Sequence, residues 1–191
     1  LFALAAYEHG ADEEERVQSL IARAPNQQLS RMAQVYLLLE EGHAADAATL
    51  LGDPPGPNAD GEVVFEHALV ATALGNYDKA TEFAREAQTR QPAATRYTSF
   101  LATVLVRSGD VRSAAQVMQS LEGTESPLVS LAQAEVALAT DEINDARAAI
   151  TTVLDDENAS ARQKRKARLI LAMVELKEGN DAAAIAAVKT A

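Results

Sequence analysis

A short turn followed five residues later by an alanine recurs five times in this chain of 191 residues. The turns fall at Gly42, Gly75, Gly109, Asp141 and Gly179, and the alanines at Ala47, Ala80, Ala114, Ala146 and Ala184. Successive alanines are 33, 34, 32 and 38 residues apart. A fixed period in this range marks stacked supersecondary units, each with an apolar face that it cannot bury alone. Such arrays extend one core from neighbour to neighbour and expose a long binding surface.

The residues between the turns carry helical spacing. Val63, Val64, His67, Ala68, Val70, Ala71 and Leu74 form a stripe that stops at Gly75, and Asn76 and Tyr77 turn the chain. A second helix from about Asp78 sets Ala80, Phe83, Ala84 and Ala87 on one face, and Pro92 ends it. The same grammar places helix hairpins at about 28–52, 61–91, 95–121, 128–154 and 162–191, with part of another at 1–24. We therefore expect one all-α repeat array over 1–191. The apolar opening from Leu1 to Ala6 lacks a starting Met and a basic flank, so it reads as the end of a helix in a fragment of a longer chain. Two connections are long. GDPPGPNADG over 52–61 predicts a rigid non-helical loop, and DDENAS over 155–160 produces the 38-residue step.

Composition narrows the function classes. The chain is 48% hydrophobic but has four Phe, four Tyr and no Trp, which suits helices in close contact through small side chains. Its 28 acidic against 17 basic residues give a net charge of −11, which opposes binding to nucleic acid phosphates. Without cysteine there is no disulfide, thiolate nucleophile or thiolate-bound metal. No apolar run approaches the roughly 20 residues that span a bilayer, so direct membrane insertion is not expected. Nothing in the chain selects a compartment.

The segment GNYDKATEFAREAQTRQP over 75–92 resembles the core of a tetratricopeptide repeat. Ala68 takes the family's small mid-helix place, Gly75 and Tyr77 the turn, Ala80 and Ala87 the second-helix alanines, and Pro92 the closing proline. Leu101, Ala102, Gly109 and Ala114 fit the same pattern, as do Leu171, Ala172, Gly179 and Ala184. Ala134 and Ala146 keep it around Asp141, whereas Val35 stands in the first hairpin's small place and the family's large first-helix aromatic is missing throughout. The resemblance implies an α-solenoid of antiparallel hairpins, a right-handed superhelix, and a concave groove lined by the first helices. The groove positions are then Met32, Tyr36 and Leu39; Phe65 and Leu69; Arg96, Thr103 and Arg107; Glu135; and Lys166, Met173 and Lys177. Members that clamp a chaperone's C-terminal carboxylate use Lys and Asn at two of these places. Here the pairs are Met32/Tyr36, Phe65/Leu69, Ser99/Thr103, Leu131/Glu135 and Leu169/Met173, so the clamp is absent. An amphipathic helix or extended peptide with apolar anchors and some acidic residues suits the remaining groove.

Catalytic chemistry finds no support in the chain, and no cofactor or metal is expected. His9 and His43 flank turns of successive hairpins, whose helices are roughly 8–10 Å apart, too far to share a zinc ion. His67 falls on the packed face of its helix. Acidic runs at 12–15, 40–41 and 155–157 suit helix starts or solvent. Phosphate loops, nucleophile elbows and zinc-binding HExxH are all missing. One anomaly stands out: RQKRKAR sets Arg162, Lys164, Arg165, Lys166 and Arg168 on an acidic chain, either an anion patch or a balance to the preceding DDEN. The expected function is non-catalytic binding of a protein or peptide partner. The alternatives are an anchoring or regulatory module of a larger secreted, membrane-attached or catalytic protein, or a self-assembling scaffold.

Overall fold

The computed structural model describes residues 19, 22, 23 and 28–190. Most of the hairpin expected over 1–24, with His9 and the acidic run at 12–15, lies outside them. The described chain is helical without strands, in ten helices: α1 Gln28–Glu40, α2 Ala44–Leu51, α3 Gly61–Ala73, α4 Tyr77–Arg90, α5 Thr95–Ser108, α6 Val111–Gln119, α7 Pro127–Ala139, α8 Ile143–Asp155, α9 Ala161–Lys177 and α10 Asp181–Lys189. Two compact units divide it, Leu1–Tyr97 and Thr98–Ala191, and the division falls inside α5.

Local chemistry explains the helix ends. Asp60, Asn76, Asp110, Ser126 and Ser160 each accept a backbone N–H of the helix they precede. Such caps satisfy donors that the first helical turn leaves unpaired. Ser160 and Gln163 form a reciprocal capping box at the start of α9. At the other end, each of the five turns closes in the same way. The N–H groups of His43, Asn76, Asp110, Glu142 and Asn180 reach back five residues to the carbonyls of Leu38, Ala71, Leu105, Ala137 and Glu175, at 2.7–2.9 Å. This closure needs a left-handed residue one place earlier. Gly42, Gly75, Gly109 and Gly179 supply φ of 74° to 89°, and Asp141 adopts 69° in the fourth turn.

A Cβ at Gly75 would meet nothing within 4 Å, so the demand for glycine there is conformational and not steric. Gly75→Ala is expected to cost about 1–2 kcal/mol, the penalty of an L-residue in the left-handed region. Urea denaturation followed by circular dichroism measures it, and a variant as stable as wild type would contradict this account of the turn.

The recurring alanines lie where paired helices meet. Ala47, Ala80, Ala114 and Ala146 are 0% exposed and Ala184 is 3% exposed. Helices α3 and α4, α7 and α8, and α9 and α10 pack as consecutive pairs, as do α1 and α2. Within the first unit α3 also rests on α1 and α2, joining Val35, Ala47, Leu51 and Val70 into a core. Within the second, α9 rests on both α7 and α8, and Leu131, Ile150, Val153, Ala167, Ile170 and Val174 share one apolar cluster. The 52–60 connection is non-helical, as its prolines and glycines dictate. It is tied to the end of α4 by Arg90 Nη2 to the Gly56 carbonyl (3.3 Å) and Gln91 Nε2 to Asp60 Oδ1 (3.0 Å).

Candidate partner-binding surface

The first helices α1, α3, α5, α7 and α9 carry the expected groove positions, and their polar side chains are joined from one helix to the next. In the first unit the hub is Glu62 on α3. The Tyr36 hydroxyl on α1 donates to Glu62 Oε1 at 3.4 Å, and the Tyr97 hydroxyl on α5 donates to Oε2 at 2.9 Å. Arg96 pairs with the same carboxylate and donates to the Tyr97 oxygen at 2.8 Å. Its guanidinium lies 4.7 Å from the Tyr97 ring centre and 5.7 Å from that of Phe65, so the cation is held by ring faces as well as by charge. Phe65 and Tyr97 pack together in turn, their rings tilted with centroids 4.8 Å apart.

A second hub repeats the arrangement in the other unit. Thr103 on α5 donates to Glu135 Oε2 on α7, and Lys166 on α9 pairs with Oε1 of the same carboxylate at 3.1 Å. Lys177 reaches Asp141 Oδ1 at 2.8 Å and the Leu138 carbonyl at 3.1 Å. On the second-helix side, Arg147 of α8 bridges to Glu175 (2.6 Å) and to Glu178. That pairing, with Asn180 donating at 3.0 Å, holds the Glu175 carboxyl below the ordinary carboxylate range.

These contacts change the groove that the repeat register implies. Of its four bases, Arg96, Lys166 and Lys177 face carboxylates of the chain itself, so the acidic complement expected of a partner is largely supplied from within. Met32, Tyr36, Phe65 and Thr103 are buried, the last three in contact with the next hairpin, while Leu39, Leu69 and Glu135 are half-buried. Arg107, Met173 and Lys177 are exposed, and Leu169, Met173 and Leu176 form an exposed apolar stripe along α9 at i, i+4 and i+7.

The basic run opens α9. Lys166 is the member engaged by Glu135, and Arg162 is half-buried, its pKa pushed down to about 10 by burial and by the neighbouring Arg165 charge. Arg165 is exposed, and Lys164 and Arg168 are half-buried, so the five bases do not share one open face. In the preceding segment Asp156 accepts the Asn158 N–H at 2.8 Å, a local turn of its own. His43 is exposed, 3.5 Å from Glu41, and His67 packs on Phe83 with the rings tilted and their centres 5.5 Å apart. Among the described residues no group of three or more His, Cys, Asp or Glu could hold a metal ion. No described helix is long and apolar enough to cross a membrane.

One residue escaped the sequence reading. Glu66 on α3 is 0% exposed, and neither carboxylate oxygen has a hydrogen-bond partner among the described residues. The signal was present in the repeat register. Fourteen residues before the recurring alanine, the other hairpins carry Ala33, Phe100, Ala132 and Ile170, all apolar.

Packed consecutive helix pairs with identical turn closures define an all-α protein of the helical-repeat type. A stretch of 112 residues, 56% of the chain, is 35% identical to Cellulose synthase 1 operon protein C of Komagataeibacter xylinus. The chain spans 8% of that relative's length. No family model matches the chain, and no solved structure matches it.

Proposed function

We propose that this chain is a non-catalytic interaction module, a right-handed tetratricopeptide-like stack whose first helices receive a protein or peptide partner. The observation that carries this reading is the fivefold recurrence of one hairpin design, a left-handed turn residue followed by an alanine buried at the helix crossing. Repeats of this kind are scaffolds whose sequence variation is spent on an exposed face. The apolar stripe of Leu169, Met173 and Leu176 supplies anchors for an amphipathic helix or an extended segment. Because most of the bases are already paired, apolar contact is the main source of affinity in this reading.

Site-specific photo-crosslinking tests it without disturbing the core. A benzoylphenylalanine at Arg107 or Met173, both exposed on first helices, is expected to capture a discrete partner. The same group at Glu82 or Gln116, exposed on second helices, is expected to capture none. Equal labelling from both sets would sink the proposed binding face.

A second reading is favoured by the 35% identity to Cellulose synthase 1 operon protein C. In it, the chain is a repeat module of a larger protein that serves a cellulose-synthesising apparatus. Biolayer interferometry of the immobilised chain against purified cellulose synthase tests that reading, and absence of saturable binding rejects it.

A further inference from the structure

Glu62 and Glu66 stand one helical turn apart on α3 and meet opposite fates. Glu62 is held by Tyr36, Arg96 and Tyr97, whereas Glu66 is fully buried with both oxygens unpartnered among the described residues. A carboxylate in such a place is costly when charged and tolerable when neutral. The repeat register sharpens the contrast, since the equivalent positions of the other hairpins hold apolar residues: Ala33, Ala132 and Ile170, all buried, and Phe100, half-buried. An ionisable group therefore stands where the design of the array calls for an apolar one.

We propose that Glu66 is a pH-sensitive latch of the N-terminal unit: the neutral acid is tolerated in the packed interior around α3, and ionisation loosens that packing. Arg31 of α1 is the charged group that acts on Glu66, and Tyr97 of α5 is the titratable neighbour that feels its charge. On α3 itself, Glu62 is committed to its three donors, and His67 is held below its ordinary value by burial and by Arg31. Helices α2 and α4 also pack on α3 but bring no charged group that shifts Glu66. Burial raises the Glu66 pKa from 4.5 to about 7, and Arg31 opposes that rise. A pKa higher in the folded than in the unfolded state means that folding takes up a proton. The stabilisation is complete below pH 4.5 and is lost as pH rises to about 7.

The test compares wild type with Glu66→Gln, which keeps the shape but cannot ionise, from pH 4.5 to 8.5 by chemical denaturation. The two are expected to match near pH 4.5. The unfolding equilibrium of wild type should then worsen relative to the variant by about tenfold per pH unit until about pH 7, and level off. Glu66→Leu, apolar like its register equivalents, should show the same pH profile as Glu66→Gln. Arg31→Ala in the wild-type background should move the end of the window to higher pH. Hydrogen exchange at pH 8, expressed as protection factors, locates the effect: α3 should be at least tenfold less protected in wild type than in Glu66→Gln, with α8 and α9 unchanged. A wild-type to variant difference that stays constant with pH overturns the latch. So does a loss of protection spread equally over both units.

Discussion

Tyr97→Ala is expected to destabilise the N-terminal unit by about 3–5 kcal/mol, the range for removing a fully buried aromatic ring. The ring is 0% exposed, packs tilted against Phe65 and lies beneath the Arg96 guanidinium, so its loss opens a cavity and removes the cation's apolar support. Its hydroxyl also bridges Arg96 and Glu62, with Gln91 Oε1 a longer alternative acceptor at 3.3 Å. Tyr97→Phe separates the two contributions. It keeps the ring and is expected to cost about 1.5–3 kcal/mol, the worth of a hydrogen bond to a charged group. Urea denaturation, with exchange protection in α1 and α3 to identify the affected unit, measures both. A Tyr97→Ala variant within 1 kcal/mol of wild type would show that the ring is not a keystone of the unit.

In the other unit, Ile170→Ala is expected to cost about 2–5 kcal/mol. Ile170 is 1% exposed in the cluster where α9 meets α7 and α8, against Leu131, Ile150 and Val153. Three residues on, Met173 is 47% exposed, and Met173→Ala is expected to stay within about 0.5 kcal/mol of wild type. The pair is informative because both positions lie on one helix and both are apolar. Similar costs for the two would mean that the buried and open faces of α9 are wrongly assigned, and the proposed partner surface with them.

The hairpins were legible because their signals are local. A left-handed turn residue, a cap within three residues and an apolar stripe at helical spacing each act within one turn of the chain. Asp141 shows how far this goes: it lacks the freedom of glycine, yet the turn it occupies closes with the same backbone bond as the others. The groove was less legible. Register placed Met32, Tyr36 and Phe65 among the partner contacts, but how much of a first helix stays open depends on how closely its neighbours approach. All three are buried by what packs against their helices.

Charge pairing was the least legible feature. Glu62 meets Arg96 across 34 residues and Lys177 meets Asp141 across 36, and no spacing rule within one helix anticipates either. The basic run at 162–168 is visible in the sequence because its charges are adjacent along the chain. The solitary Glu66 does not stand out there, because only its surroundings make it unusual.

The sequence by itself determined that this chain is a series of helix hairpins, with their turns and their alanine crossings, since each depends on φ, capping and side-chain size within a few residues. The tertiary structure alone decided which of the expected groove residues are buried, which of their bases are already neutralised, and that one carboxylate lies unpartnered among the described residues. Burial and pairing are properties of what a neighbouring hairpin brings within a few ångströms, and that neighbour is some thirty residues away along the chain.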